Sequence, residues 1–225
     1  MSNIGYRIYT QVQRPARSLV DGFAGIPVPN IDDCMNRMAA LPSRLHAMNS
    51  ARLMGTAYTV SCSGGDNLLF YYALDNAKPG DVIVVAGGGY TERAYCGEIM
   101  ATMAQKRNLA GFIIDGSIRD PEEISQMDFP VFAAGVSPNG PYKNGPGEVN
   151  VPVCIGDQVI CPGDILVGDR GGIVVIKPQE AAEVQQKARA VMQKESYMMD
   201  SIEKTGGMDL SWMYDKIQKD GCDII

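Results

Sequence analysis

Histidine is nearly absent: His46 is the only imidazole in 225 residues. A Ser-His-Asp triad, a cysteine protease pair and a structural zinc site all need imidazoles or ligand pairs at set spacings. The sequence therefore argues against all three, and His46 itself reads as a helix or loop residue. Six cysteines (Cys34, Cys62, Cys96, Cys154, Cys161 and Cys222) are scattered without a CxxC pair. That pattern suits reduced thiols used mainly as core filler. A basic excess is missing as well. With 20 Lys and Arg against 26 Asp and Glu, a net charge of −6 and a pI near 4.8, the chain lacks the footprint of a nucleic-acid binder. It also lacks an apolar run of the ~18 residues a membrane span needs. The opening MSNIGYRIYTQVQRP has no apolar signal core. No membrane association and a cytoplasmic location are the expectations.

What is present is an ordinary globular composition, 45% apolar and 20% charged. Its length suits one large domain with an appendage. The first thirty residues, interrupted by Pro15, Pro27 and Pro29, read as a helical or irregular arm. Asn30 and Asp32 are candidate N-caps for a helix to about Met38. ARLMGTAYTVSC (51–62) alternates like a strand, and Leu68, Leu69, Tyr72 and Leu74 recur at helical spacing within a helix over 67–77. A KPGD turn leads to VIVVA (82–86), a short buried strand, with Gly87 to Gly89 after it. A helix over 97–107, a strand over 111–114 and a strand over 130–134 follow. SPNGPYKNGPG (137–147) is too rich in Gly and Pro to be regular. Short strands are expected at 149–154, 158–160, 165–167 and 172–176, and a helix at 179–194. The fold class is therefore α/β. Residues 1–194 form the domain and 195–225 a polar arm whose Ile202, Leu210, Trp212 and Met213 would be costly to leave in water.

Two short stretches carry the chemistry. The glycines after VIVVA fit only two positions of G-x-G-x-x-G, since the third falls on Glu92, and no Walker lysine follows. The stronger pair is CGEIM (96–100) with IRD (118–120), twenty residues separating Glu98 from Arg119. A helix of about ten residues advances ~15 Å, and a returning strand of five or six covers a similar ~17–20 Å. If the two pack antiparallel, Glu98, Arg119 and Asp120 meet on one edge. There the Ile99 and Met100 amides, in a helix first turn, can hold a carboxylate. Arg119 can stabilise an enolate oxygen. Asp120 is a hard oxygen ligand, and Glu98 can either join it or orient a metal-bound water. Oxygen donors without histidine point to Mg²⁺ or Mn²⁺. The plain alternative is an Arg-Asp surface pair and a glutamate favoured by a helix dipole.

These residues resemble the RraA-like proteins, and among them the class II pyruvate aldolases that cleave 4-hydroxy-4-methyl-2-oxoglutarate and 4-carboxy-4-hydroxy-2-oxoadipate. An acidic residue, twenty residues and Arg-Asp carry the likeness. So do GDNLLFYYALDNAKPGDVIVV, GFIIDGSIRD and VNVPVCIGDQVICPGDILVGDRGGIVVI. The resemblance implies a layered sandwich, a β-sheet core flanked by helices, with a C-terminal helical arm, assembled as a homotrimer or homohexamer. It implies that Asp120 ligates the metal, that Glu98 reaches it through water, and that Arg119 contacts the pyruvyl oxygen. Gly97, Ile99 and Met100 would form the turn that holds the pyruvyl carboxylate. Asn67 and Lys143 would line the cleft, and Glu195 would reach an adjacent subunit's site. The implied activity is metal-dependent retro-aldol release of pyruvate from a small anionic 2-oxo acid, with oxaloacetate decarboxylation beside it. The rival expectation is a regulator of ribonuclease activity that acts by protein binding.

Overall fold

A computed structural model describes residues 3–223 and 225. They form β1 (Tyr6–Ile8), α1 (Arg17–Asp21), α2 (Val28–Cys34), β2 (His46–Ala47), β3 (Leu53–Cys62), α3 (Leu68–Asn76) and β4 (Asp81–Cys96). Next come α4 (Glu98–Lys106), β5 (Gly111–Ile118), α5 (Pro121–Ser125), β6 (Val131–Val136), β7 (Gly147–Val149) and β8 (Val153–Ile155). The last elements are β9 (Gln158–Ile160), β10 (Ile165–Asp169), β11 (Gly172–Ile176), α6 (Ala181–Thr205) and α7 (Ser211–Lys219). The chain divides into two compact units, 1–188 and 189–225. Among the described residues, no helix is long and apolar enough to cross a membrane.

The first unit is a mixed α/β structure around a nine-stranded sheet, with β8 and β9 as a separate hairpin. Four neighbouring strands, β3, β4, β5 and β6, run parallel. Helices α3, α4 and α5 connect them in turn, so each step is a βαβ unit. The free edge of β3 is shared, with β10 antiparallel along Leu53–Thr56 and β7 along Val60–Cys62.

Parallel strands covered on both faces read as continuous apolar runs, and their alternate residues enter different cores. Ile83, Val85, Phe112 and Ile114 join the cluster beneath α3, α4 and α5. Their neighbours Val82, Val84 and Ile113 join a second cluster with Ile155, Ile160 and Leu166. Phe112 sits at the middle of the first, edge-on to Phe70 and Phe129 at 5.0 Å each.

Several boundaries differ from expectation. α2 begins at Val28 with Pro27 as its cap, because prolines preset the φ of a first turn. Asn30 and Asp32 therefore lie inside it, and Asp32 instead accepts the Ala39 N–H at 3.1 Å. The glycines after VIVVA do not end β4. Gly88 and Gly89 take positive φ, and the pairing jumps from Val85↔Ile114 to Tyr90↔Gly116, so the strand bulges outward and returns. The stretch 149–154 splits into β7 and β8, since Asn150 is left-handed and Pro152 has no N–H. The last helix does not stop at 194: α6 continues to Thr205, before Gly206 and Gly207, and α7 follows, so the arm is helical, as the resemblance implies. In this second unit Trp212, Ile202 and Leu210 are exposed.

Candidate active site

Ligands of parallel α/β sheets gather outside the carboxyl ends of the strands, where loops diverge and helices begin. Here all four parallel strands deliver residues to one such cavity of about 200 Å³. Asn67 follows β3; Gly97, Ile99 and Met100 follow β4; Arg119 follows β5; Gly140 and Lys143 follow β6. Four larger cavities, of about 350 to 510 Å³, do not include Arg119, and the side chains of Asp120 and Glu98 line none of the five.

The pairing Cys96↔Ile118 brings the ends of β4 and β5 level. The Arg119 N–H then donates to the Cys96 carbonyl at 2.9 Å, which sets Arg119 and Asp120 beside the start of α4. Asp120 occupies the left-handed region, φ 55°, and its Oδ2 accepts the Glu98 N–H at 3.0 Å. Arg119 Nε lies 3.6 Å from the same oxygen. Gly97, the cap of α4, leaves room for this: a Cβ there would collide with Asp120 Oδ2 and lie 2.8 Å from Arg119 Cγ. With the Glu98 amide engaged, the Ile99 and Met100 amides remain as first-turn donors without intrahelical partners. The Glu98 and Ile99 side chains are exposed, while Met100 is buried.

Asn67 forms the floor. It is 1% exposed, and its Nδ2 donates to the Tyr95 carbonyl at 2.8 Å and contacts Met100 Sδ at 3.7 Å. Those contacts fix the amide orientation and leave Oδ1 buried without a partner. Such an atom is destabilising unless something supplies a proton donor. Lys143 lines the same cavity, its Nζ 5.6 Å from the Tyr71 ring. Glu195 belongs to the second unit, on α6.

Tyr71, Tyr95, Gly140 and Pro141 also line the cavity and were not singled out from sequence. Tyr71 is four residues from Asn67 on the α3 face, a usable signal; the other three depend on tertiary packing. Tyr95 Oη accepts the Gly65 N–H at 2.9 Å and donates to the Gly87 carbonyl at 3.2 Å. Burial pushes its hydroxyl up to about 12. Burial also raises the Cys96 thiol strongly, which removes it as a nucleophile.

Among the described residues no group of three or more His, Cys, Asp or Glu could cage a metal ion. At this edge stand two carboxylates, Asp120 and Glu98. A one- or two-carboxylate donor set fits Mg²⁺, which keeps most of its water, and does not fit zinc.

Residues 28–175 match the family described as RraA-like, Aldolase/RraA. A Halalkalibacterium halodurans protein named "Putative 4-hydroxy-4-methyl-2-oxoglutarate aldolase" is 38% identical over 168 residues, 74% of this chain and 80% of that one. An uncharacterized protein of Pseudomonas syringae has a similar solved structure, with TM-score 0.76 and 28% identity, over 86% of this chain and 96% of that one. The RNA-processing inhibitor RraA from Thermus thermophilis superposes with TM-score 0.63 and 28% identity, covering 67% and 92%. An α/β sheet with its cavity at the carboxyl ends of four parallel strands, and a family match across two thirds of the sequence, agree. The chain belongs to the RraA-like family.

Proposed function

We propose that this protein is a class II pyruvate aldolase that cleaves 4-hydroxy-2-oxo di- or tricarboxylic acids, such as 4-hydroxy-4-methyl-2-oxoglutarate or 4-carboxy-4-hydroxy-2-oxoadipate. One observation carries the reading: Arg119 and the open first turn of α4 line a cavity with Asn67, whose buried oxygen lacks a partner, and Asp120 stands beside that lining against Arg119 and the Glu98 amide. The name of the Halalkalibacterium relative supports it.

In this reading the Ile99 and Met100 amides hold the pyruvyl carboxylate at the positive end of the helix. Asn67 Oδ1 accepts a hydrogen bond from the C4 hydroxyl and orients it. A base, or solvent acting as one, takes that proton; the O–H electron pair becomes the carbonyl of the released fragment, and the C3–C4 pair moves through C2 onto the C2 oxygen. Arg119 stabilises the resulting enolate as charge develops, where a preorganised cation is worth most. Return of a proton from that base or solvent to C3 completes pyruvate. Asp120, with Glu98 through water, would hold Mg²⁺ or Mn²⁺, which supplies Lewis-acid polarisation of the 2-oxo group. Decarboxylation of oxaloacetate through the same enolate is the expected side reaction. Glu195 would act in the site of a neighbouring subunit of a homotrimer or homohexamer.

The test is pyruvate release from both aldol substrates and from oxaloacetate, with Mg²⁺ and with EDTA. Release that EDTA abolishes supports the reading, and no release from any of the three sinks it. The second reading, a protein-binding regulator of ribonuclease activity, draws on the likeness to the Thermus RraA. Inhibition of a ribonuclease by a protein that releases no pyruvate would favour it.

A further inference from the structure

The wall opposite Arg119 is irregular chain, yet it is held at defined points. Asp66, 3% exposed, accepts three backbone N–H groups: Leu68 at 2.9 Å, Asn144 at 2.6 Å and Gly145 at 3.0 Å. Tyr142 pairs its own backbone with Gly65 and Asn67 at 2.8 and 3.0 Å. On the bulged part of β4, Arg93 braces this wall. Its Nη1 donates to the Gly140 carbonyl at 2.8 Å and its Nη2 to Tyr142 Oη at 2.9 Å. Its guanidinium also lies 4.1 Å from the centre of the Tyr142 ring. The aliphatic stem covers Gly65, where an added Cβ would come within 3.1 Å of it. No carboxylate pairs with Arg93 among the described residues. Both terminal nitrogens of its planar fork bond to the wall, an arrangement a lysine could not reproduce.

The consequence reaches the site through Gly140 and Lys143. Gly140 abuts Arg119, since a Cβ on it would lie 4.0 Å from Arg119 Nη1, and Lys143 is three residues further along. We propose that Arg93 is a positioning residue: it staples Gly140 and Tyr142 to β4 and to the 64–66 turn, and so sets substrate affinity without touching substrate. This role rests on the aldolase reading, and it identifies the group that braces the wall carrying Gly140 and Lys143.

The test combines backbone hydrogen exchange with kinetics on Arg93→Ala, Arg93→Lys and Tyr142→Phe. Arg93→Ala should speed exchange at Tyr142, Asn144 and Gly145 by about tenfold or more and leave β5 unchanged. On the substrate the wild type cleaves, it should raise KM by about tenfold while kcat stays within about threefold. Arg93→Lys keeps the cation over the ring and should fall between wild type and alanine. Tyr142→Phe keeps the ring and loses one acceptor, so it should shift KM by about two- to threefold. Wild-type exchange across 139–145 in Arg93→Ala overturns the staple, whatever the activity. Altered exchange with unchanged KM overturns its role in affinity. A wild-type protein that releases no pyruvate overturns the aldolase reading instead, and exchange still judges the staple.

Discussion

Asp120 Oδ2 accepts the backbone N–H of Glu98 at 3.0 Å, across the gap between two parallel strand ends. This bond fixes the carboxylate against the first turn of α4 and within 3.6 Å of Arg119 Nε. It exists because residue 97 has no side chain. Gly97 is extended, φ −151° and ψ −162°, so alanine there meets no backbone strain and acts only by collision with Asp120 and Arg119. Gly97→Ala should lower pyruvate release by about tenfold or more while the thermal midpoint moves little. Wild-type kinetics in that variant would show that the Asp120 position is irrelevant to catalysis.

Arg119→Ala should cost about 3 kcal/mol or more of transition-state stabilisation, a fall of roughly 10²-fold in kcat. Arg119→Lys should recover only part of it, because a point charge replaces a planar fork. Steady-state kinetics of pyruvate release measures both, and full activity in the alanine variant contradicts the assignment.

Asn67→Ala separates binding from stability. The substitution loses the bond to the Tyr95 carbonyl but also removes a buried oxygen with no partner. The two effects oppose, so stability without ligand should change by less than about 1 kcal/mol. KM should rise by about tenfold, since the ligand loses its acceptor. Chemical denaturation and kinetics together check the pair. A large loss of stability would mean that Asn67 is structural.

Tyr95 gives a pH dependence with a definite sign. Its hydroxyl moves from an ordinary value of 10 to about 12 because burial disfavours the phenolate. The folded protein holds this proton more tightly than the unfolded chain, so the contribution is fully present below pH 10 and is lost as pH rises toward 12. Cys62 is also raised to about 12 by burial, but it is shared by both proteins. The stability advantage of wild type over Tyr95→Phe should therefore shrink between pH 10 and 12, as read by alkaline denaturation. A constant difference across that window rejects the shift.

Much of the first unit was legible before the structure, for identifiable reasons. VIVVA and GFII read as strands because both faces of a parallel sheet demand apolar residues, and the helices expected over 67–77 and 97–107, the first from apolar spacing, form as α3 (Leu68–Asn76) and α4 (Glu98–Lys106). The twenty residues from Glu98 to Arg119 placed the two on one edge because a helix and a return strand have matching lengths. Hidden from that reasoning were the bulge at Gly88 and Gly89, the proline-capped start of α2, and the helical continuation to Thr205. Bulges depend on the partner strand's register. A helix end depends on whether a stop such as Gly206 outweighs a polar sequence.

The sequence by itself determined the class of chemistry on offer: a carboxylate at a helix start and an Arg-Asp pair at a strand end, with almost no imidazole and no basic excess. It also determined the alternation that builds two cores around one sheet. Only the tertiary structure decided that loops after all four parallel strands close on the same cavity. It alone decided that Asn67 keeps an unpaired buried oxygen there, and that Arg93 and Asp66 hold the irregular 137–147 segment in place. Those contacts join residues from tens of positions apart, so their geometry depends on strand order and register, which local spacing does not encode.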